Sequence, residues 1–384
     1  MDVRTELVLA VILVQCKASC HNGTKLEKYD LVNRLLDEGN CKPKMPPNYN
    51  KDGPVTVSVQ ISIYDMQGLR DETMDYECPL YIRLNWTDER LDYSQLASYD
   101  YLTLTGEDIR RYWVPDLYFH HEKEASYHQV FRTNELVYIG QIGSVTYSAR
   151  LTILSHCQLD LYYYPFDKQN CDIIVQSYTS KADDLILQWA KQSPFKVQGT
   201  EYISIIDNST TSSFNSPYTD PLGNYSTLHA NLRFKRAQKR YDVMYIVPPV
   251  VFFLVALSSA LLLDYEKLKA EIDSRVGICI GMLIATIMLW GGIYAKLPPV
   301  AILTMLDTWM VVHVCPIAIT LVLPLVLYRR GCQLRQGACH SAFATEPAIQ
   351  QEECNWKAIA VLLSVLCVIY IIFSITFASI WKAS

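Results

Sequence analysis

Cys157-Gln-Leu-Asp-Leu-Tyr-Tyr-Tyr-Pro165-Phe166-Asp167-Lys-Gln-Asn-Cys171 is the stretch from which the rest of the chain is read. Two cysteines enclose thirteen residues, and the closing half is Tyr-Pro-Phe-Asp-Lys-Gln-Asn-Cys. Spacing alone fits an ordinary structural disulfide equally well. The chain beyond Cys171 sets the loop apart. Val243–Leu263, Val276–Ala295, Thr308–Tyr328 and Ala358–Trp381 contain no Asp, Glu, Lys or Arg. Each is 20 to 24 residues long, and about 20 residues of helix cross about 30 Å of hydrocarbon. One such helix could be buried in a soluble protein; four in succession do not make a soluble core. Continuous apolar runs also do not encode a closed barrel of strands.

The remaining composition sets the compartments. The 384 residues exceed one compact domain, half are hydrophobic, and the net charge is −5. No basic stripe suited to nucleic acid is present. Leu7–Val14 is a short apolar run before Ala18 and Ser19, too short to span, and reads as a signal peptide over residues 1–20. Sequons at Asn22, Asn85, Asn208 and Asn224 all precede the first span, which points to a secreted N-terminal domain. Arg329, Arg330 and Arg335 lie between the third and fourth spans and favour the cytoplasm. The expected organisation is an extracellular domain over 21–240, three spans over 241–328, a short cytoplasmic loop over 329–354, and a fourth span with a short extracellular end over 355–384. That organisation predicts a multi-pass plasma-membrane protein with its N-terminus outside. Cys41, Cys78, Cys157 and Cys171 fall on the oxidising side. Cys41 and Cys78 are a candidate second pair that sequence does not assign.

Within the extracellular domain, Leu26, Tyr29, Val32 and Leu36 have helical spacing and predict a short amphipathic helix over Leu26–Leu36. Val55, Val57, Val59, Ile61 and Ile63 then alternate with polar residues, as a half-buried strand does. Many short strands with turn signals predict a β-sandwich.

The loop, the four spans and several motifs in order together resemble the Cys-loop pentameric ligand-gated ion channels. The motifs are Thr73-Met-Asp-Tyr76, Trp86-Thr-Asp-Glu-Arg90-Leu91, Trp113-Val-Pro-Asp116 and Asp184-Leu-Ile-Leu-Gln-Trp189, and they are most similar to the glycine and GABA receptor branch. The resemblance covers nearly the whole chain. It implies an immunoglobulin-like extracellular β-sandwich with an N-terminal helix, a four-helix transmembrane bundle, and a homo- or heteropentamer around a central pore. It also implies the Cys157–Cys171 disulfide.

The same resemblance implies a small-molecule agonist, an amine or amino acid, bound between subunits in a box of aromatic side chains. Aromatic faces attract a desolvated ammonium. Tyr178, Tyr218 and Tyr225 take the places of the principal face. Tyr81, Arg83 and Arg150 take those of the complementary face, with Arg83 suited to a ligand carboxylate. With 26 tyrosines in the chain, packing is the competing role for each, and Arg83 could instead pair with a neighbouring carboxylate. His120 stands where the family has an aromatic. His120, His121 and His128 are weak candidates for a metal, with solvated histidines the stronger reading, so no metal and no cofactor is expected.

Arg275-Val-Gly to Leu297-Pro298 resembles the family's pore helix without a gap. Helical spacing then selects Gly277, Gly281, Ile284, Met288, Gly291 and Ala295 as the pore face. Ile284 and Met288 are the expected hydrophobic gate, because a narrow apolar ring expels the water that ions need. Gly277 and Gly281 depart from the hydroxyl residues usual in the family. Glu271 and Asp273 would place acidic rings at the inner mouth, Arg275 a basic one. The balance leans slightly to cations, against an extracellular domain similar to that of anion channels. Coupling is assigned to Pro165, Phe166, Asp167, Arg236 and Lys296, with the Lys296–Pro299 link expected to meet the loop tip and Gly68–Asp71. The alternatives to a cation channel are an anion channel and a non-conducting binding or assembly subunit. No metal-protease helix, P-loop or nucleophile elbow is present, so an enzyme is not expected.

Overall fold

The computed structural model describes residues 27–37, 43–49, 53–198, 203–205, 211–214, 223–236, 241–261, 265–299, 302–340, 364–365, 368 and 370–381. The expected signal peptide, Cys41, Asn22, Asn208 and Tyr218 lie outside these residues.

The alternating pattern over Val55–Ile63 does form a strand, β1, and all five of its alternate apolar residues are buried. The polar residues between them face outward, since successive strand side chains point to opposite faces. Strand β1 pairs antiparallel with β3 (Asp75–Asp92), and β3 with β8 (Ile142–His156), over a long register that sets Tyr81 opposite Arg150. The sheet order continues through β7 (Glu135–Gly140) to β4 (Tyr101–Leu104), with β10 (Leu185–Trp189) beside β1 on the other flank. A second sheet is built on β14 (Thr227–Arg236), β9 (Lys168–Ser177) and β5 (Leu117–Phe119). The chain passes from β8 into β9 through the 157–171 loop, and the Cys157–Cys171 disulfide closes it. One core of buried Val, Ile, Leu and aromatic side chains draws on both sheets.

The motif around Trp86 is the interior lock of this domain. Trp86 is buried, stacks on Tyr112 and meets Trp113 edge to face. Its indole N–H donates to Tyr112 Oη, which donates to the fully buried Asp88 carboxylate. Arg90 neutralises that carboxylate at 2.8–2.9 Å. A buried charge is tolerated when it is paired and hydrogen-bonded in this way.

The N-terminal helix, α1, spans Lys28–Leu35. Its buried residues are Leu31, Leu35 and, just past it, Leu36, while Tyr29 is exposed. Leu36 and Val32, which packs against the core, face inward as the spacing predicts, whereas Tyr29 does not and Leu31 and Leu35 join the buried side; Leu26 lies outside the described residues. The Lys28 ammonium lies 5.1 and 5.6 Å from the ring centroids of Tyr99 and Tyr101.

Below the sandwich, a π-helical turn (Asp242–Ile246) leads into α2 (Val247–Leu261); α3 (Tyr265–Tyr294) and α4 (Met305–His340) follow. A last apolar helix, α5, covers Tyr370–Trp381. Among the described residues, Ile272–Tyr294 and Met305–Val322 are long and apolar enough to cross a membrane, and Val243–Ser259 and Tyr370–Trp381 are shorter apolar helices. The boundaries shift from those expected. Helix α3 begins well before Val276, and α4 continues past Tyr328 through the arginines to His340, so the link read as a loop starts as helix. Arg, Gln and Leu have good helix propensity, which lets the helix run on. Helix α5 packs on α4 through Trp309 against Phe377 and Trp381, and on α2 through Phe253 against Tyr370.

Candidate functional site

Three groups of candidate functional side chains occupy three levels of the molecule. The upper level begins with Asp116. Its carboxylate accepts from Ser177 Oγ at 2.7 Å and from the Thr179 N–H at 2.9 Å, and its carbonyl accepts from the Tyr178 N–H at 3.1 Å. These bonds hold the loop after β9 so that Tyr178 stands out, 75% exposed. The Tyr178 ring meets Tyr118 edge to face at 5.9 Å, and Tyr118 leads on to His120 at 6.4 Å. His120 thus belongs to this aromatic group. Burial, then the neighbouring His121 and His229, hold its imidazole below the usual histidine range.

Tyr118 is absent from the sequence reading. It lies one position from a buried β5 residue, and only its register against Gln176 of β9 places it beside Tyr178. Tyr225 departs from the expectation. Its side chain is buried, and it leads into the buried Ser226 and Thr227 that start β14, with Ser226 Oγ accepting from the Leu187 N–H. It is therefore closed off within the subunit.

A second group lies on the other sheet. Tyr81 and Arg83 alternate with the buried Ile82 and Leu84, so both point outward on one face of β3. Tyr81 contacts Tyr64 at 5.3 Å, a residue just past the end of β1 that the sequence reading also lacks. Arg150, opposite Tyr81, donates Nε to Tyr64 Oη at 2.7 Å and lies 5.0 Å from the Tyr64 ring and 6.0 Å from the Tyr81 ring. That hydrogen bond raises the Arg150 pKa. Arg83 donates to Gln60 Oε1 at 3.3 Å. Among the described residues no carboxylate pairs with Arg83 or Arg150, so two guanidinium charges stand beside two tyrosines without a protein anion.

The histidines do not converge on a metal. His128 hydrogen-bonds Thr152 Oγ1 at 2.6 Å, apart from the packed His120 and His121 rings. Among the described residues no three His, Cys, Asp or Glu are grouped to hold an ion. Cys78 is a buried free thiol whose pKa burial pushes up; its candidate partner Cys41 lies outside the described residues. Asn224 is exposed, and Asn85 is half-buried with its Oδ1 accepting from Thr146 Oγ1 at 2.6 Å.

The middle level is the tip of the 157–171 loop. Pro165, Phe166 and Asp167 are buried, and Pro165 follows a cis peptide bond. Asp167 accepts from Arg236 Nε at 2.9 Å and from the Gln169 side chain. Arg236 also donates Nη1 to Asp71 Oδ2 at 2.9 Å, while its Nη2 lies 2.7 Å from Asp71 Oδ1, out of line for a hydrogen bond but close enough to form an ion pair. One arginine thus joins β14, the loop tip and the turn after β2 (Gln67–Arg70). The loop reaches the helices at two further points. The Met305 N–H donates to Tyr162 O at 2.8 Å, and Trp381 Nε1 donates to Tyr163 O at 2.9 Å, with Phe166 edge to face on Trp381. Among the described residues, the hydrogen bonds from the loop to the helices run to the start of α4 and the end of α5, while Lys296 of the expected Lys296–Pro299 link is exposed.

The lower level is α3. Gly277, Gly281, Ile284, Met288, Gly291 and Ala295 are all exposed in the subunit. At about 100° per residue they share one narrow arc, and the buried Arg275, Cys279, Thr286 and Ile293 lie opposite, against the other helices. Leu283 is half-buried, Ile284 51% and Met288 72% exposed. A Cβ added at Gly277 or Gly281 would meet nothing within 4 Å, so packing inside the subunit does not require glycine there. Asp273 is exposed, whereas Arg275 is buried and donates to Ser259 O of α2 at 3.2 Å. Glu271 lies in the same helix.

A sequence model of the family described as "Neurotransmitter-gated ion-channel ligand binding domain" matches residues 28–238. A Drosophila melanogaster protein named glutamate-gated chloride channel is 30% identical over 77% of this chain and 64% of its own length. The glutamate-gated chloride channel subunit beta of Haemonchus contortus is 29% identical over 74% of this chain and 66% of its own. A gamma-aminobutyric acid receptor subunit beta-like protein of Drosophila melanogaster is 27% identical over 70% and 55%. The chain therefore spans between about half and two thirds of the length of these relatives. With the disulfide-closed loop and the sandwich in place above the apolar helices, the chain belongs to the Cys-loop family of neurotransmitter-gated ion channels.

Proposed function

We propose that this chain is a subunit of a pentameric channel opened by an amino-acid agonist bound between neighbouring subunits. One observation carries the reading. Tyr118 on one sheet, with Tyr178 and His120 just beyond its strands, forms one outward group, and Tyr81, Arg83 and Arg150 on the other sheet, with Tyr64 just past β1, form a second. A second copy would supply the missing half of each box. The aromatic half suits an ammonium. The two guanidinium groups without protein anions suit a carboxylate, through charge-assisted hydrogen bonds. The names of the relatives, gated by glutamate and by gamma-aminobutyric acid, agree with a ligand bearing both groups.

The N-terminal sandwich, over about residues 21–240, is extracellular in this reading. Four helices per subunit cross the membrane, and α3 lines the pore with Ile284 and Met288 as the apolar constriction. Two of the relatives are named chloride channels, which gives no support to a cation pore and favours anions. A cation pore stands as the second reading on one local observation: Asp273 is exposed at the inner end of α3, while Arg275 is turned into the subunit.

Expression of the chain alone, with glutamate and γ-aminobutyrate applied and reversal potentials recorded under ion substitution, tests these statements together. Tyr178→Ala is expected to weaken the agonist by about 0.5–2 kcal/mol, and Arg150→Ala to weaken it further. Unchanged affinity in both variants would place the agonist elsewhere. A parent channel that binds but never conducts would leave a binding or assembly subunit.

A further inference from the structure

We propose that Asp307 is a positioning residue for gating, which through Trp290 fixes the pore helix α3 against α4 and transmits movement of the 157–171 loop to the pore face. The proposal rests on the gating reading above.

The geometry starts at the first turn of α4. Thr304 precedes the helix, and Asp307 N–H donates to Thr304 Oγ1 at 3.1 Å while Asp307 Oδ2 accepts from Thr304 N–H at 2.9 Å. This reciprocal arrangement satisfies two backbone donors that a helix start leaves open. It needs only one carboxylate oxygen. The second, Oδ1, accepts the indole N–H of Trp290 at 3.1 Å, across the gap between α3 and α4. Asp307 is buried, and among the described residues no cation pairs with it. A buried carboxylate held by hydrogen-bond donors alone is costly to keep, and capping by itself would be served by a smaller or neutral group.

The two ends of this connection are the parts gating must join. Met305, two residues before Asp307, is bonded to Tyr162 of the loop. Trp290 precedes Gly291 in the chain, and with Ile287, Gly291, Tyr294 and Ala295 it lines an open apolar recess of about 530 Å³. Gly291 and Ala295 belong to the expected pore face. Loop, cap, indole and pore wall are therefore consecutive contacts, and a displacement of the α4 start pulls on α3 at Trp290, about four helical turns above Gly277.

The test is a cycle of variants in the full chain, with glutamate and γ-aminobutyrate as probes for evoked current and for displacement binding. Trp290→Phe keeps an aromatic ring and removes the donor. Asp307→Ala removes the acceptor and the cap together, and Thr304→Ala removes much of the cap alone. Trp290→Phe and Asp307→Ala are each expected to raise the half-maximal concentration for current about tenfold, with displacement binding less affected. The double variant is expected to match Asp307→Ala, because the bond can be lost only once. Additive shifts, or Thr304→Ala reproducing Asp307→Ala while Trp290→Phe behaves as the parent, would reduce Asp307 to a helix cap and overturn the proposal. A parent with binding but no current would overturn the gating reading itself, and this coupling with it.

Discussion

Removing Arg236 should be among the most damaging single changes in the protein, and its size follows from the surroundings. The guanidinium is 4% exposed, Asp167 2% and Asp71 14%. Two carboxylates share it at 2.7–2.9 Å, and it also lies 5.1 Å from the Tyr164 ring. Burial opposes its charge, but Asp167 and Asp71 outweigh burial and raise its pKa. At an effective dielectric of about 20, each contact corresponds to about 6 kcal/mol of attraction before desolvation is subtracted. Breaking a buried pair by deleting one partner costs about 3–5 kcal/mol, because the other charge is left stranded. Arg236→Met keeps most of the volume and strands both carboxylates, so a loss of at least that size is expected. Arg236→Lys keeps the charge but lacks the fork that reaches Asp71 and Asp167 together, and should fall between. Thermal unfolding of the purified protein in lipid nanodiscs, followed by tryptophan fluorescence, gives the order parent, Lys, Met. Adding Asp71→Asn to Arg236→Met should recover part of the loss by removing one stranded charge. Arg236→Met unfolding within about 0.5 kcal/mol of the parent would show that the three side chains do not form the buried connection described.

Two further outcomes are expected. Ile284→Ser should wet the apolar ring and raise resting conductance or agonist sensitivity, measured as current before and after agonist; resting current and sensitivity both equal to the parent would move the constriction away from Ile284. Asp71 has its pKa raised by burial, which exceeds the lowering by Arg236. A raised folded-state value means stability present below the unfolded value of about 4 and lost as pH rises through the folded one, so between pH 4 and neutrality the parent should lose stability relative to Asp71→Asn in paired melts, and parallel pH curves would contradict the burial of that carboxylate.

The sandwich was legible because its signals are local. Alternation over Val55–Ile63 needs only the two-residue period of a strand, and all five apolar positions are buried. The motif from Trp86 to Arg90 was visible as a motif, but its content, a buried Asp88 shared by Arg90 and Tyr112, depends on a tyrosine 24 residues away. At the N-terminal helix the spacing placed Val32 and Leu36 correctly on the core side, but it also counted Tyr29, whose hydroxyl-bearing ring suits solvent as well as core, and passed over the buried Leu31 and Leu35. Helix ends were misplaced for a related reason. Charge marks where a chain leaves hydrocarbon, yet a helix does not have to stop there, and α4 continues through Arg329 and Arg330.

The candidate site divides along the same line. Tyr81 and Arg83 could be placed from one strand, since residues two apart share a face. Tyr64 and Tyr118 could not, because each is brought to its partners by pairing between strands remote in sequence: Tyr64 by the turn out of β1 beneath Arg150, Tyr118 by the register of β5 on β9. On α3, the proposed pore helix, the period of 3.6 was enough to select an exposed arc, and Arg275, Cys279, Thr286 and Ile293 are buried on the opposite side. What the period could not supply is the direction of Arg275. Counted by sequence, it adds a positive ring to the expected inner mouth; in the structure it turns toward Ser259 O, while Asp273 is exposed. Ion sign in the proposed pore depends on which charged groups reach the axis rather than on which are encoded nearby, and the direction of Arg275 follows from the packing of α2 against α3.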